Sequence, residues 1–281
     1  MLVRTIEDHR AGGWENVLDA GEVRSANCVT AADRVGFSIH LNEIAAGDGR
    51  QLWYKHHWEA NYIVAGEATL NDLDHGDSWP LREGSLYTVG PTDRHRLTGQ
   101  KELRIVSVFC PALRGDEAHD EDGAYTPSGE VPTGRERLFL RDADALRAAG
   151  QEMVVANGKA RTLRMLVRDD RVGFSLSDVH VAAGARAALW YKHHWEANLV
   201  IGGRGKVTEV ASGREWPLNY GTTYLVGPED RHVLESVENM HVLSVFCPPL
   251  AGDEQHDACG ALAPSGPVPP GPAATTTLLA Q

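Results

Sequence analysis

The sequence predicts an all-β protein made of two tandem copies of one small barrel or sandwich, each opened by a short helix. Two observations carry this expectation. The decapeptide LWYKHHWEAN stands at 52–61 and again at 189–198, and the offset of 137 residues (59 to 196) holds without gaps across most of the chain. RVGFS at 34–38 returns at 171–175, VGP at 89–91 returns at 226–228, and SVFCP at 107–111 returns at 244–248. A period this long is a whole small domain rather than a solenoid unit. The second observation is a series of short β-segments punctuated by turns, with no long amphipathic helix between them.

Each copy opens on a helix start. Thr5 can cap IEDHRAG, and Asp142 can cap ADALRAAG, which Gly150 ends. Then follow VGFSIHLNEI (35–44), LWYKHHWEANYIVAG (52–66), EATLNDL (67–73), SLYTVG (85–90) and LRIVSVFC (103–110), with counterparts in the second copy. Strands at this spacing close into barrels or pack as sandwiches. Proline and glycine at 132–134 interrupt the pattern, so the copies are assigned to 1–133 and 134–265. The remainder, 266–281, is rich in Pro, Ala and Thr and is expected to be disordered.

A net charge of −12 argues against a nucleic-acid partner, because a phosphate backbone needs a basic footprint. No apolar run approaches the roughly 18–20 residues that span a bilayer. The opening MLVRTIEDHR lacks the apolar stretch of a leader. No membrane partner and a cytoplasmic location are therefore expected. Cys28, Cys110, Cys247 and Cys259 lack C-x-x-C spacing and read as reduced thiols.

Glu59, Tyr87 and His95 recur as Glu196, Tyr224 and His232. If 52–66 is one strand, Lys55, His57 and Glu59 share a face. Three ionisable groups beside Trp53 and Trp58 then need partners or a ligand; a solvent-facing charged edge is the ordinary alternative. The E-x6-G of EANYIVAG and the P-x3-G of PLREG, with Tyr87 three residues later, follow the two motifs of the cupin barrel. Tyrosine stands where the second motif commonly has histidine. Carboxylate, phenolate and imidazole form a mixed O/N set that suits Fe(II), with zinc or manganese as alternatives. Three protein ligands leave positions open for a substrate.

YKHHWEANYIVAGEA, SLYTVGPTDRH and SVFCPALRGDEAHDEDGAY, with the opening LVRTIEDHR, together resemble the ectoine synthase family of small iron-dependent cupins. The resemblance runs through most of 2–125 and again from about 139 to 262. It implies two tandem cupin, jelly-roll-like barrels. It also implies a hydro-lyase type of enzyme, since the family closes a ring in a monoacetylated diaminobutyrate by losing water. By this resemblance the iron ligands are Glu59, Tyr87 and His95, and again Glu196, Tyr224 and His232. Tyr54, His119, Tyr191 and His256 would be catalytic. Asp93, Phe109 and Glu117, with Asp230, Phe246 and Glu254, would contact substrate. Single-domain members pair as dimers, which implies an intrachain pseudo-dimer here and leaves a further homodimer open.

Other substrate positions depart from the family. Its tryptophan is Val23 and Ala160, its threonine is Asn42 and Val179, and its cysteine is Ser107 and Ser244. Its arginine is Asn27 in the first copy and is kept as Arg164 in the second. These positions hold the family's substrate, so a different small polar amino-acid derivative is expected. Ordinary roles compete for several residues. Phe109 and Phe246 suit core packing, Tyr54 and Tyr191 suit strand faces, and Asp93 and Asp230 suit turns. His119 and His256 sit in loops where solvation is the default. Two other functions fit the same residues: an iron oxygenase using O2, and a non-catalytic binder of small solutes.

Overall fold

The computed structural model describes residues 1–11, 15–18 and 23–273. The first half has a seven-stranded antiparallel sheet in the order Phe139–Asp142, Ser85–Val89, Trp58–Ala65, Leu103–Cys110, Ser38–Ile44, Val23–Val29 and Glu15–Leu18. Against it lies a four-stranded sheet of Gly47–Leu52, His95–Gly99, Glu67–Asp72 and Ser78–Arg82. The second half repeats the plan. Its large sheet runs Leu2–Arg4, Thr223–Val226, Trp195–Gly202, Met240–Cys247, Ser175–Val181, Ala160–Leu166 and Met153–Val155. Its small sheet runs Arg186–Leu189, His232–Ser236, Gly205–Glu209 and Glu215–Leu218. The short helices are Ile6–Ala11 and Ala143–Ala148. Thr5 Oγ1 accepts from the Asp8 N–H at 3.1 Å, and Asp142 accepts from the Ala145 N–H at 3.0 Å, as the caps require. No helix among the described residues is long and apolar enough to cross a membrane.

Period-two alternation explains why both faces of the large sheets are buried. In Trp58–Ala65, Trp58, Ala60 and Tyr62 enter a core that also holds Leu163, Phe174, Leu199 and Leu243 of the second half. Glu59 and Asn61 point the other way, into the first barrel. Leu103–Cys110 divides likewise: Val106, Val108 and Cys110 face the shared core, while Ile105, Ser107 and Phe109 face the barrel interior. Each fully buried aliphatic or aromatic side chain in this shared core contributes about 1.5–3 kcal/mol. The strand itself begins at Trp58. Lys55 lies in the preceding turn and pairs with Asp122, so it does not share a strand face with Glu59 as expected from alternation.

The two halves exchange edge strands. Phe139–Asp142 pairs with Ser85–Val89 of the first half, with Leu140 opposite Tyr87. Leu2–Arg4 pairs with Thr223–Val226 of the second half, with Val3 opposite Tyr224. Each exchanged strand then reaches back by an arginine. Arg4 makes a two-point pair with Asp33, both contacts at 2.7 Å. Arg141 does the same with Asp170, at 2.6 and 2.7 Å.

The segments after each barrel cross over as well. Gly134 N–H donates to Arg171 O at 2.9 Å and Gly271 N–H to Arg34 O at 3.0 Å. The Trp58 and Trp195 indole N–H groups donate to Pro132 O and Pro269 O, each at 3.0 Å. Residues 266–273 are thus anchored up to Gly271, and 274–281 lie outside the described residues. Gly134 has φ +60° and a Cβ there would lie 1.9 Å from the Trp58 ring. Gly134→Ala is expected to cost about 1–3 kcal/mol by overpacking. Urea unfolding measures it, and an unchanged midpoint would mean that the indole moves aside freely.

Candidate metal centre and active site

Three strands place Glu59, Tyr87 and His95; the cavity lining includes the first two, and the His95 ring lies 6.5 Å from that of Tyr87 and 5.8 Å from that of Tyr54. Glu59 and Tyr87 face inward from neighbouring strands of the large sheet and line one cavity, and His95 begins a strand of the small sheet. All three side chains are buried. Burial pushes the Glu59 carboxyl up to about 8, with hydrogen bonds to Asn61 and Ser107 opposing it. Burial also lifts the Tyr87 phenol well above its ordinary value, and the nearby Glu59 adds to this. His95 is lowered to about 4 by burial, so its ring is neutral near pH 7. Its Nδ1 faces Asp93 O at 3.3 Å, which fixes the other nitrogen as the lone-pair side. That Nε2 is buried with no hydrogen-bond partner.

The second half repeats this arrangement. Glu196 is likewise lifted to about 8 by burial, and Tyr224 stands well above the phenol range. His232 Nδ1 faces Asp230 O at 3.1 Å, and its Nε2 is buried and unpartnered. A carboxyl pushed up by burial and a buried imidazole lone pair with no donor are groups that a divalent cation would satisfy. The donor set fits a metal in both halves.

The first cavity measures about 200 Å³ and brings together Tyr54, Glu59, Tyr87, Asn42, Ser107, Phe109, Glu117 and His119. Tyr54 OH lies 3.3 Å from His119 Nε2, and Tyr191 OH lies 3.0 Å from His256 Nε2. Phe109 meets Tyr54 edge-on at 5.4 Å, and Phe246 meets Tyr191 at 5.5 Å. Asn42 donates to Ser107 at 2.9 Å, and Ser107 donates to Asn61. In the second half Ser244 donates to Asn198, and Val179 replaces the asparagine that would extend the chain. Glu117 accepts from the Arg114 and Gly115 N–H groups at 2.6 and 2.8 Å. Glu254 accepts likewise from Ala251 and Gly252.

Asp93 is not among the residues lining the cavity. Its two oxygens accept from the Gly90 and Leu138 N–H groups, at 2.8 and 2.9 Å, so it secures the turn before His95 and the exchanged strand. Asp230 secures the Gly227 turn in the same way, at 2.9 Å. The decapeptide histidines also stand back. His57 bonds Ser128 at 2.9 Å and His194 bonds Ser265 at 3.0 Å.

Sequence reasoning missed three cavity residues. Tyr125 stacks on His119 at 4.3 Å and on Tyr54 at 5.4 Å, and its counterpart in the second half is Leu262. His40 and Asn61 were hidden as single polar letters in apolar strands, although the alternation placing Glu59 inward also places Asn61 there.

Another cluster, Asp178, His180 and His241, has donor atoms close enough to hold a metal. Asp178 already accepts from Arg147 at 2.6 Å and from Tyr62 at 3.0 Å, and lies 2.7 Å from His241. A guanidinium serves as its counter-cation. The equivalent positions in the first half are Leu41, Glu43 and Arg104, so the cluster is not part of the repeated site.

The sequence profile of ectoine synthase matches residues 1–129 and again residues 139–265. The chain belongs to the ectoine synthase family. L-ectoine synthase of Mycobacterium sp. (strain KMS) is 41% identical over 125 residues, 44% of this chain and 95% of that protein. L-ectoine synthase of Halomonas elongata is 35% identical over 131 residues, 47% of this chain and 96% of that protein. Each of these ectoine synthases matches about half of the chain with nearly its whole length. Oxalate decarboxylase of Lactobacillus farciminis, solved as a formate complex, has TM-score 0.62 over 89% of this chain and 87% of its own, at 14% identity. A Cupin 2 conserved barrel domain protein from Leptotrichia buccalis has TM-score 0.51 over 80% of this chain and 88% of its own, at 10% identity. Those identities speak for fold alone, and the fold is the cupin barrel, present twice in this member of the ectoine synthase family.

Proposed function

We propose that the chain is an iron-dependent enzyme of hydro-lyase type, closing a ring in a small amino-acid-derived substrate with loss of water. The substrate is proposed to differ from the ectoine precursor, because Val23, Asn27, Asn42 and Ser107 replace the family's residues along the first cavity. The observation that supports the reading is the doubled constellation: a buried Glu, Tyr and His set with an orphaned imidazole nitrogen, beside a hydrogen-bonded Tyr–His pair. Glu59, Tyr87 and His95 would hold one iron, and Glu196, Tyr224 and His232 a second. The metal supplies Lewis-acid polarisation of an amide or carboxylate oxygen.

The chain's own groups do the rest. Tyr54, Phe109 and Tyr125 wall the cavity with aromatic edges and faces, which folds a flexible substrate and excludes water. In ring closure the internal amine forms a C–N bond, the C–O bond breaks, and the two amine protons leave with that oxygen as water. Tyr54 OH and His119 Nε2, 3.3 Å apart, carry those protons from nitrogen to oxygen. Tyr191 and His256 take the same part in the second half.

The test is incubation of the iron-loaded chain with N-acetylated diaminobutyrate, with ectoine followed by chromatography. Ectoine formation at least 100-fold slower than with a single-domain family member is expected. Robust turnover sinks the altered-substrate reading, and dioxygen uptake on adding a substrate would replace the hydro-lyase with an oxygenase.

A further inference from the structure

The large sheet of the second half carries a polar cluster at the edge of the shared core. Period-two alternation puts Leu176, Asp178 and His180 on one face of Ser175–Val181, and the register sets His180 opposite His241 of Met240–Cys247. Burial falls away along that face. Leu176 belongs to the shared core, the Asp178 side chain is fully buried, and His180 is 44% exposed. The two imidazole rings stack at 4.1 Å across the ladder. The seam between the halves thus ends in two histidines and a carboxylate.

Three donor atoms converge there. Asp178 Oδ1 lies 2.7 Å from His241 Nε2 and 3.2 Å from His180 Nε2, and the two nitrogens are within 4.8 Å of each other. Ligands held about 2.0–2.2 Å from a zinc ion stand roughly 2.8–3.6 Å apart. Two of the spacings are in or beside that range, and the exposed His180 ring can turn to close the third. Tyr62 OH of the first half donates to the other carboxylate oxygen, Oδ2, at 3.0 Å, which leaves Oδ1 to the rings. Burial alone would raise the Asp178 carboxyl, but the two histidines hold it well below the ordinary carboxylate range, so the donor is anionic.

A cation already stands at this point. Arg147 Nη2 donates to Asp178 Oδ2 at 2.6 Å and lies 3.1 Å from His180 Nε2. The His180 nitrogen is caught between two demands. If it accepts from Arg147, its lone pair also faces the carboxylate oxygen; if it is protonated toward Asp178, it has no lone pair for Arg147. A metal ion takes the lone pair and the carboxylate together and removes the conflict. Arg147 also has other partners. Its Nε lies 3.2 Å from Glu152 Oε1 and its Nη1 3.3 Å from Asp144 Oδ1, so it keeps two carboxylates on releasing the third. In the first half Leu41, Glu43 and Arg104 hold the three donor positions and Leu199 is the counterpart of Tyr62, so the repeat supplies no twin.

We propose that Asp178, His180 and His241 bind one zinc ion at the seam between the halves, displacing Arg147 onto Glu152 and Asp144. The ligands are Asp178 Oδ1 and the Nε2 atoms of both histidines, and the open side by His180 leaves a fourth position to water. Tyr62 grips the same aspartate from the first half, so the ion fastens the two barrels at the rim of their common core. This site goes beyond the proposed function and needs neither Glu, Tyr and His set.

Zinc titration of the full chain by calorimetry, with the metal counted after dialysis, tests the site. His241→Arg, which copies Arg104 of the first half, is expected to bind one zinc fewer than the parent, whatever number the Glu, Tyr and His sets take up. His180→Gln is expected to weaken the same equivalent at least about tenfold. Arg147→Gln is expected to do the opposite and tighten it about tenfold, by removing the competing cation. Zinc held adventitiously on surface histidines would not respond to that change. An equal zinc count in the parent and His241→Arg, or binding in Arg147→Gln no tighter than in the parent, overturns the proposal. If neither Glu, Tyr and His set takes iron, the proposed reaction fails, while the difference of one zinc between the parent and His241→Arg is still expected.

Discussion

Glu59→Gln is expected to lower iron binding from two equivalents per chain to one, and Glu196→Gln to remove the other. Glutamine keeps the shape of the side chain and its place between Asn61 and Ser107, but withdraws the anionic donor. Loss of a supporting residue around a metal typically costs 10–100-fold in affinity, so loss of a ligand itself is expected to cost at least about 100-fold. The metal-free variant should be as stable as the metal-free parent or more so, because a buried carboxyl without a cation is unfavourable. That opposition of effects separates a metal ligand from a packing residue. Elemental analysis with thermal unfolding reads both, and retention of two irons in either variant removes the ligand assignment.

Asp170→Ala is expected to lower stability by about 3–5 kcal/mol, the usual result of stripping one partner from a buried ion pair. Asp170 is fully buried, yet it takes Arg141 from the exchanged strand, Arg135 from the connecting segment and the Val167 N–H. Removing it leaves Arg141, itself mostly buried, with the Met165 carbonyl and the Phe139 ring but no anion. Urea unfolding reads the loss, and a value below about 1 kcal/mol would mean that the pair behaves as a surface one. The pH dependence has a definite sign. Burial alone would raise the Asp170 carboxyl, but the hydrogen bonds from Arg141 and Val167 and the nearby Arg135 hold it below the ordinary carboxylate range. Its contribution is therefore complete above that range and is lost as pH falls through the lower folded-state value. The parent should lose stability in acid more steeply than Asp170→Ala.

The repeat, the short helices and the alternation that turns Glu59 into the barrel were legible because each rests on local pattern: identical letters, a cap residue, a period of two. The strand exchange was not. Leu2–Arg4 and Phe139–Asp142 are short apolar runs, and nothing in three or four letters says which sheet they complete. The turn at Lys55 was hidden for a related reason. A period of two extends through YKHH on paper, but Lys55 N–H bonds Trp53 O and the ladder starts only at Trp58. Asp93 fell between two readings. Its turn role and its place before His95 were both visible, and the hydrogen bonds from Gly90 and Leu138 show the turn role. Tyr125 gave no signal, since a lone tyrosine ahead of a proline-rich segment reads as loop.

The exchanged strands also bear on how the halves came to differ. In an assembly of two identical chains every substitution appears twice, so a wall that gains a cation gains it in both pockets. Here the connection between the halves is covalent, and each needs the other's edge strand to flank its own tyrosine. A change such as Asn27 against Arg164 can therefore be made once and kept beside an unaltered twin. The same braid means that a cut within the segment 126–137 would not release either half. The product would be a nicked pair held together by two strand ladders and a common core.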